Sequence, residues 1–191
     1  IKALLNILIL LKIKDIIIDV RDNGGGYIEQ AVLIANMLIT EKGLVLVKEE
    51  HKIEFFNKDY RSDGKGKKFN VVILANERSA SASEILIAAL CENGVAKSVG
   101  TKSYGKGTVQ SLIPTNDGGI IKYTSAYYTT PEGNNIHKKG IYPDVPVENT
   151  YIPVNMEDYG YFSFLNKYKL GDTGEEVKLA KTMLKALGVF I

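Results

Sequence analysis

The spacing of apolar residues changes character several times along the first forty positions. Leu4, Leu5, Ile7, Leu8 and Leu11 recur at helical intervals, which predicts a buried helix. The apolar run after Asp15, ending at Val20, predicts a strand buried on both faces. Asp22-Asn23-Gly24-Gly25-Gly26 then breaks the pattern, since glycine permits positive φ and close backbone approach. Ile28, Val32, Ile34, Ala35, Leu38 and Ile39 restore a helical period over residues 28–39, ended by Gly43. Residues 44–49 and 53–57 read as strands, and residues 59–68 as a charged, glycine-containing loop. Residues 69–75 predict a second buried strand. Residues 79–91 predict a helix entered through small residues and stopped by Glu92-Asn93-Gly94. Residues 96–100 predict a short strand. Residues 108–114 and 120–130 alternate like strands and carry β-branched residues with Tyr123, Tyr127 and Tyr128.

Strands interleaved with two helices, with a sizeable β share, define an α/β fold. Residues 142–166 carry less pattern and are read as a connector packing across the core. Residues 170–189 predict a helix, with Asp172 or Thr173 as N-cap, Glu175 and Glu176 at its positive end and Gly188 at C′. The N-terminal apolar stretch is interrupted by Lys2, Lys12, Lys14 and Asp15, too soon to span a membrane. It also lacks the cleavage site of a signal peptide, so the chain is expected to start inside a fold.

Composition removes several function classes. At 191 residues the chain fits one domain, or one with an appendage. A net charge of +2 gives no electrostatic case for a nucleic-acid partner. A lone cysteine, Cys91, excludes an intramolecular disulfide and a cysteine zinc cluster; His51 and His137 leave little room for a histidine metal site. No metal or cofactor is expected.

Three segments could carry chemistry. Ser79-Ala80-Ser81-Ala82-Ser83-Glu84 lies between a strand and a helix, where a nucleophile gains exposure and backbone N–H support. Ser81 with Glu84 also fits a capping box, and on spacing alone that plainer reading prevails. Neither histidine lies near, so a Ser-His-Asp triad has no support. Gly100 to Thr108 comes within one residue of a phosphate-binding loop, but Gly107 replaces the metal-binding hydroxyl and a strand follows where a helix is required. The nucleotide reading is rejected. Lys106 between glycines is then either a hairpin lysine or one placed into a site, and Gln110 shares its face if both lie in one extended run. Asp22 to Gly26 is a tight turn that could also offer backbone N–H groups to an oxyanion.

Taken in order, these segments resemble the C-terminal processing peptidase, or tail-specific protease, family. Residues 16–26 resemble its hydrophobic strand followed by D-[LIV]-R-x-N-x-G-G. Residues 71–85 resemble its V-L-V-N-x-x-S-A-S-A-S-E-I block. Residues 100–110 resemble G-x-x-[TS]-[FY]-G-K-G-x-V-Q, and Gly140-Ile141-Tyr142-Pro143-Asp144-Val145 resembles G-I-x-P-D-V. Arg78 stands where small residues are common, and Gly24 where proline is frequent.

The resemblance implies an α/β protease core related to the ClpP/crotonase architecture over residues 1–148, with the family's PDZ domain absent. A connector over 149–168 would follow. Residues 169–191 resemble the start of a peptidoglycan-binding helical module. It implies Ser81 as nucleophile, Lys106 as general base and Gln110 as the residue orienting that lysine. It implies an oxyanion hole from Ala82 N–H with Gly25 or Gly26. A lysine base must lose its proton, which burial favours by lowering a pKa of about 10.4 toward about 7–8. The implied function is a serine endopeptidase cleaving protein or peptide substrates near accessible C-termini, with no cofactor. Cell-wall contact is implied only in a longer parent chain, and homodimerisation is left open. The implied location is extracytoplasmic, at periplasm or cell surface, membrane-associated in the parent. Two alternatives stay open: an inactive core serving as a binding or scaffold module, and a crotonase-like enzyme acting on acyl thioesters.

Overall fold

The apolar run at residues 71–75 lies at the centre of a parallel sheet. The computed structural model describes residues 2–147, 169 and 171–186. These divide between two units, Ile1–Glu148 and Asn149–Ile191. In the first unit the elements run α1 (Lys2–Leu10), β1 (Asp15–Asp19), α2 (Ile28–Leu38), β2 (Lys42–His51), a 3-10 turn (Glu54–Phe56), β3 (Lys58–Asp63), β4 (Asn70–Ala75), α3 (Ala82–Cys91), β5 (Ala96–Gly100), β6 (Thr108–Pro114), β7 (Ile120–Thr129) and β8 (Val145–Pro146). They form two four-stranded sheets, a parallel one ordered β1-β4-β5-β8 and an antiparallel one ordered β3-β2-β7-β6.

The core forms where α2 and α3 meet these sheets. Ile39, Leu46, Ile73, Ile87 and Leu90 are fully buried in it. Helix α3 is buried on all sides, as its apolar sequence from Ile85 to Leu90 requires. Among its polar residues, Glu84 is wholly buried.

Several expectations change. Strand β1 is not buried on both faces: Ile16 and Ile18 pack inward, while Ile17, which points to the opposite face, is exposed, and β1 also lies at the edge of the parallel sheet. The first helix forms but is buried on one side only, through Leu5 and Leu8, leaving Ile7 and Leu10 exposed. Residues 53–57 hold the 3-10 turn rather than a strand, because His51 N–H bonds the Asn57 side chain at 2.7 Å and closes the chain there. Part of the charged loop at 59–68 is strand β3, whose charged residues suit a sheet edge. Gly43 lies within β2, not at a helix end; α2 stops at Leu38.

In the second unit, α4 spans Glu175–Ala186. Its first backbone bond runs from Lys178 N–H to Gly174 O, so the helix is entered at Gly174 and not at Asp172 or Thr173. Asp172 instead accepts the Lys169 N–H at 2.8 Å, a local side-chain turn that competes with capping. The connector at 149–168 and Gly188 lie outside the described residues.

Asp144 locks the last strand onto the parallel sheet. Its carboxylate accepts Ser98 N–H at 2.8 Å, Ser98 Oγ–H at 2.8 Å and Lys97 Nζ at 3.0 Å. These bonds, the backbone one foremost, hold its pKa at about 2. A depressed carboxylate stabilises the fold fully above its unfolded pKa of about 4, and that stabilisation disappears as pH falls toward 2. Replacing Asp144 with Ala should cost about 1–3 kcal/mol at pH 7. Urea unfolding of both proteins should show the gap closing between about pH 4 and pH 2; a gap independent of pH would contradict this role.

Candidate active site

Three parallel strands end together and each delivers one loop of a cleft. After β1 comes the Asp22 to Gly26 turn, after β4 the segment 76–81, and after β5 the segment 101–107. In open α/β sheets this carboxyl edge is where ligands bind.

The first two loops are clasped together. Asp22, at φ 59°, donates its N–H to Asn76 Oδ1 at 3.0 Å and accepts from Asn76 Nδ2 at 2.9 Å. Arg78 Nε pairs with the same carboxylate at 2.5 Å. The Asn76 bond, then the Arg78 guanidinium, holds the Asp22 carboxyl below the usual range. Arg78 therefore points to Asp22 from the surface. Buried Ser79 donates its hydroxyl to Val20 O at 2.7 Å, and Ala80 N–H reaches Asn23 O at 3.0 Å.

Ser81 sits at the entry to α3 with φ 59° and ψ −119°, a conformation that costs a non-glycine residue about 1–3 kcal/mol. Its N–H donates to Glu84 Oε2 at 2.9 Å, which is the Glu84 half of the expected capping box. The same carboxylate crosses to the third loop. Oε2 accepts Lys106 N–H at 2.8 Å, and Oε1 accepts Gly105 N–H and Ser103 Oγ–H, each at 2.6 Å.

The glycines around Lys106 have a steric cause. A Cβ on Gly105, at φ +92°, would meet Gly140 N at 2.8 Å, and one on Gly107 would meet His137 N at 2.8 Å. Residues 103–107 thus lie against residues 136–141, joined also by Ile141 N–H to Ser103 Oγ at 2.7 Å. No helix follows; β6 does, which leaves no phosphate-binding loop.

Ser81, Ala82, Lys106, Gln110, Gly26 and Tyr128 line one cleft of about 270 Å³. Ser81, Lys106, Gln110, Ala82 and Gly26, named from the family resemblance, are therefore brought together there, whereas Gly25 lines an adjoining apolar groove that shares Gly26 and Ala82. Gln110 arrives by a different route from the one expected. Lys106 precedes β6, and the pairing of β6 with β7 is irregular between Val109 and Gln110, so simple alternation does not apply. Lys106 and Gln110 are exposed, and among the described residues no hydrogen bond joins Ser81 Oγ to Lys106 Nζ.

The choice of glycine can be narrowed. Gly25 N–H is used by Asn23 Oδ1 at 2.9 Å, whereas the N–H groups of Gly26 and Ala82 carry no hydrogen bond among the described residues. Gly25 has another duty: a Cβ there would meet Ala80 O at 2.4 Å and Ala82 N at 2.8 Å. The sequence reading missed Glu84 as a link between loops. Its signal was an acid opening an otherwise apolar helix, Ala82 to Leu90.

The two sheets and this serine-bearing cleft at the carboxyl edge of the parallel one define an α/β core. The chain belongs to peptidase family S41, whose model matches residues 1–147. It is 40% identical over 180 residues to the carboxy-terminal processing protease CtpA of Bacillus subtilis (strain 168), covering 92% of this chain and 36% of that protein. It is 37% identical over 178 residues to a probable CtpA-like serine protease of Staphylococcus aureus (strain N315), covering 92% of this chain and 35% of that one. The chain thus spans about a third of the length of these relatives. Among solved structures, the photosystem II D1 C-terminal processing protease matches with TM-score 0.69 and 32% identity over 78% of this chain and 39% of its own. A putative S41 protease from Bacteroides fragilis NCTC 9343 shares the fold, with TM-score 0.58 and 19% identity over 93% of this chain and 46% of its own.

The two glycines should respond differently to alanine. Gly25→Ala should destabilise by about 2 kcal/mol or more, through positive φ and backbone overlap. Gly26→Ala, with open space at its Cβ, should stay within about 0.5 kcal/mol. Thermal unfolding measures both, and equal losses would contradict the assignment.

Proposed function

We propose that this chain is the core of a serine endopeptidase that cleaves polypeptides near their C-termini through Ser81 and Lys106. The observation that carries this reading is the meeting of Ser81, Lys106, Gln110 and two unused N–H groups, of Gly26 and Ala82, at one cleft. The relatives named as C-terminal processing proteases support the substrate class.

Neutral Lys106 takes the proton from Ser81 Oγ as that oxygen attacks the scissile carbonyl carbon. The carbonyl oxygen becomes an oxyanion and accepts from Gly26 and Ala82 N–H, each donor contributing about 3 kcal/mol to the transition state. On collapse the C–N bond breaks, and Lys106 passes its proton to the departing amine. Water then attacks the acyl-serine carbonyl carbon while Lys106 takes its proton; the C–Oγ bond breaks, the new C-terminal carboxyl group is released, and Lys106 returns the proton to Ser81 Oγ. Gln110 orients the lysine amine through its side-chain oxygen. Lys106 is exposed in the open cleft, so the bound polypeptide is what excludes water from the dyad. An extracytoplasmic location follows from the family resemblance; none of the described helices is long and apolar enough to cross a membrane.

A second reading is a binding core that does not cleave, and the missing Ser81–Lys106 hydrogen bond favours it. Casein digestion separates the two. Wild type should cleave, and Ser81→Ala and Lys106→Ala should each lose about 10⁴-fold or more. Activity surviving both substitutions would overturn the dyad. An intact fold with no cleavage by wild type would favour the binding core.

A further inference from the structure

We propose that Glu84 is the positioning residue of this site: its carboxylate ties the backbones of Ser81 and Lys106 to one oxygen and so sets the register between nucleophile and base. The inference rests on the dyad reading above and adds a residue to it.

A helix cap explains little of what Glu84 does. Capping requires its bond to Ser81 N–H alone. The other three donors, Ser103 Oγ–H, Gly105 N–H and Lys106 N–H, all come from the loop after β5, about twenty residues away in sequence. All four lone-pair positions of the carboxylate are thereby engaged. Its side chain is fully buried and forms no ion pair with a basic side chain among the described residues. Its charge is balanced by N–H and O–H dipoles and the positive end of α3. A carboxylate is the only side chain of this length that can accept at both ends. Glutamine presents an amide NH₂ to one pair of donors, leaving a backbone N–H facing another donor.

The consequence is geometric. Ser81 N–H and Lys106 N–H converge on Oε2, so the two segments cannot slide apart without breaking bonds to a fully buried side chain. One further bond links the two loops, Tyr104 N–H to Ser79 O at 3.0 Å, and Gly105 packs on residues 136–140, which braces the lysine loop from its other side. Glu84 touches no reacting atom. It acts by holding two groups that do, and misplacement of about 1 Å costs about 100-fold in rate.

The test compares wild type with Glu84→Gln. Casein kinetics should show kcat reduced about 100-fold per folded molecule with KM within about threefold, the folded fraction being taken from circular dichroism. Amide NMR should show the Ser81 and Lys106 resonances both displaced in the variant. Loss of stability with kcat per folded molecule unchanged would reduce Glu84 to a structural residue and overturn the proposal. If Glu84→Gln does not fold, hydrogen exchange of wild type decides: Ser81 and Lys106 amides should share one opening rate, and clearly different rates would overturn the clamp. If wild type fails to cleave, the protease reading fails on that result, while the paired amide resonances still test the clamp.

Discussion

The cleft depends on one constraint of topology: β1, β4 and β5 run parallel and stop at a common edge. Each strand is hydrogen-bonded to its neighbour through its last residues, Asp19 opposite Leu74 and Ala75 opposite Gly100. The pairing persists one step into the loops, with Val20 N–H on Leu74 O and Thr101 N–H on Ala75 O. The glycine turn, the serine entry and the lysine loop therefore start from fixed neighbouring points. A parallel sheet is what allows three segments far apart in sequence to supply one site.

Fixed starting points are not enough, because loops are otherwise free to diverge. Two polar devices join them. On one side Asp22, Asn76 and Arg78 bind the glycine turn to the serine loop near the surface. On the other, Glu84 binds the serine loop to the lysine loop in the interior. The buried device has more at stake, since unpaired groups in low dielectric are costly. It also sustains the strained backbone of Ser81, which persists only where its surroundings over-determine it.

Much of this was legible in the sequence, and the misses share a cause. Strands β5 and β6 were bounded correctly because their alternation and their turn residues agree. The glycine run after β1 marked a place where backbones approach closely, and the structure sets Gly25 against the backbone of Ala80 and Ala82. What periodicity could not supply was position within a sheet. The apolar run of β1 looks central but lies at an edge, and its outer face, with Ile17, meets solvent. The charged run of β3 looks like loop but is an edge strand. Which of the Gly25 and Gly26 N–H groups is left unbonded depended on where Asn23 points, a side-chain choice absent from any pattern. The role of Glu84 was hidden because its cap to Ser81 is local and its other partners are not.

The central claim is that Ser81 is a nucleophile activated by Lys106. The most direct measurement is covalent labelling with a fluorophosphonate, located by mass spectrometry of the digested protein. The account predicts a single adduct on the peptide containing Ser81, lost in Lys106→Ala although that variant stays folded. An adduct on another serine, or undiminished labelling of Ser81 without Lys106, would contradict it.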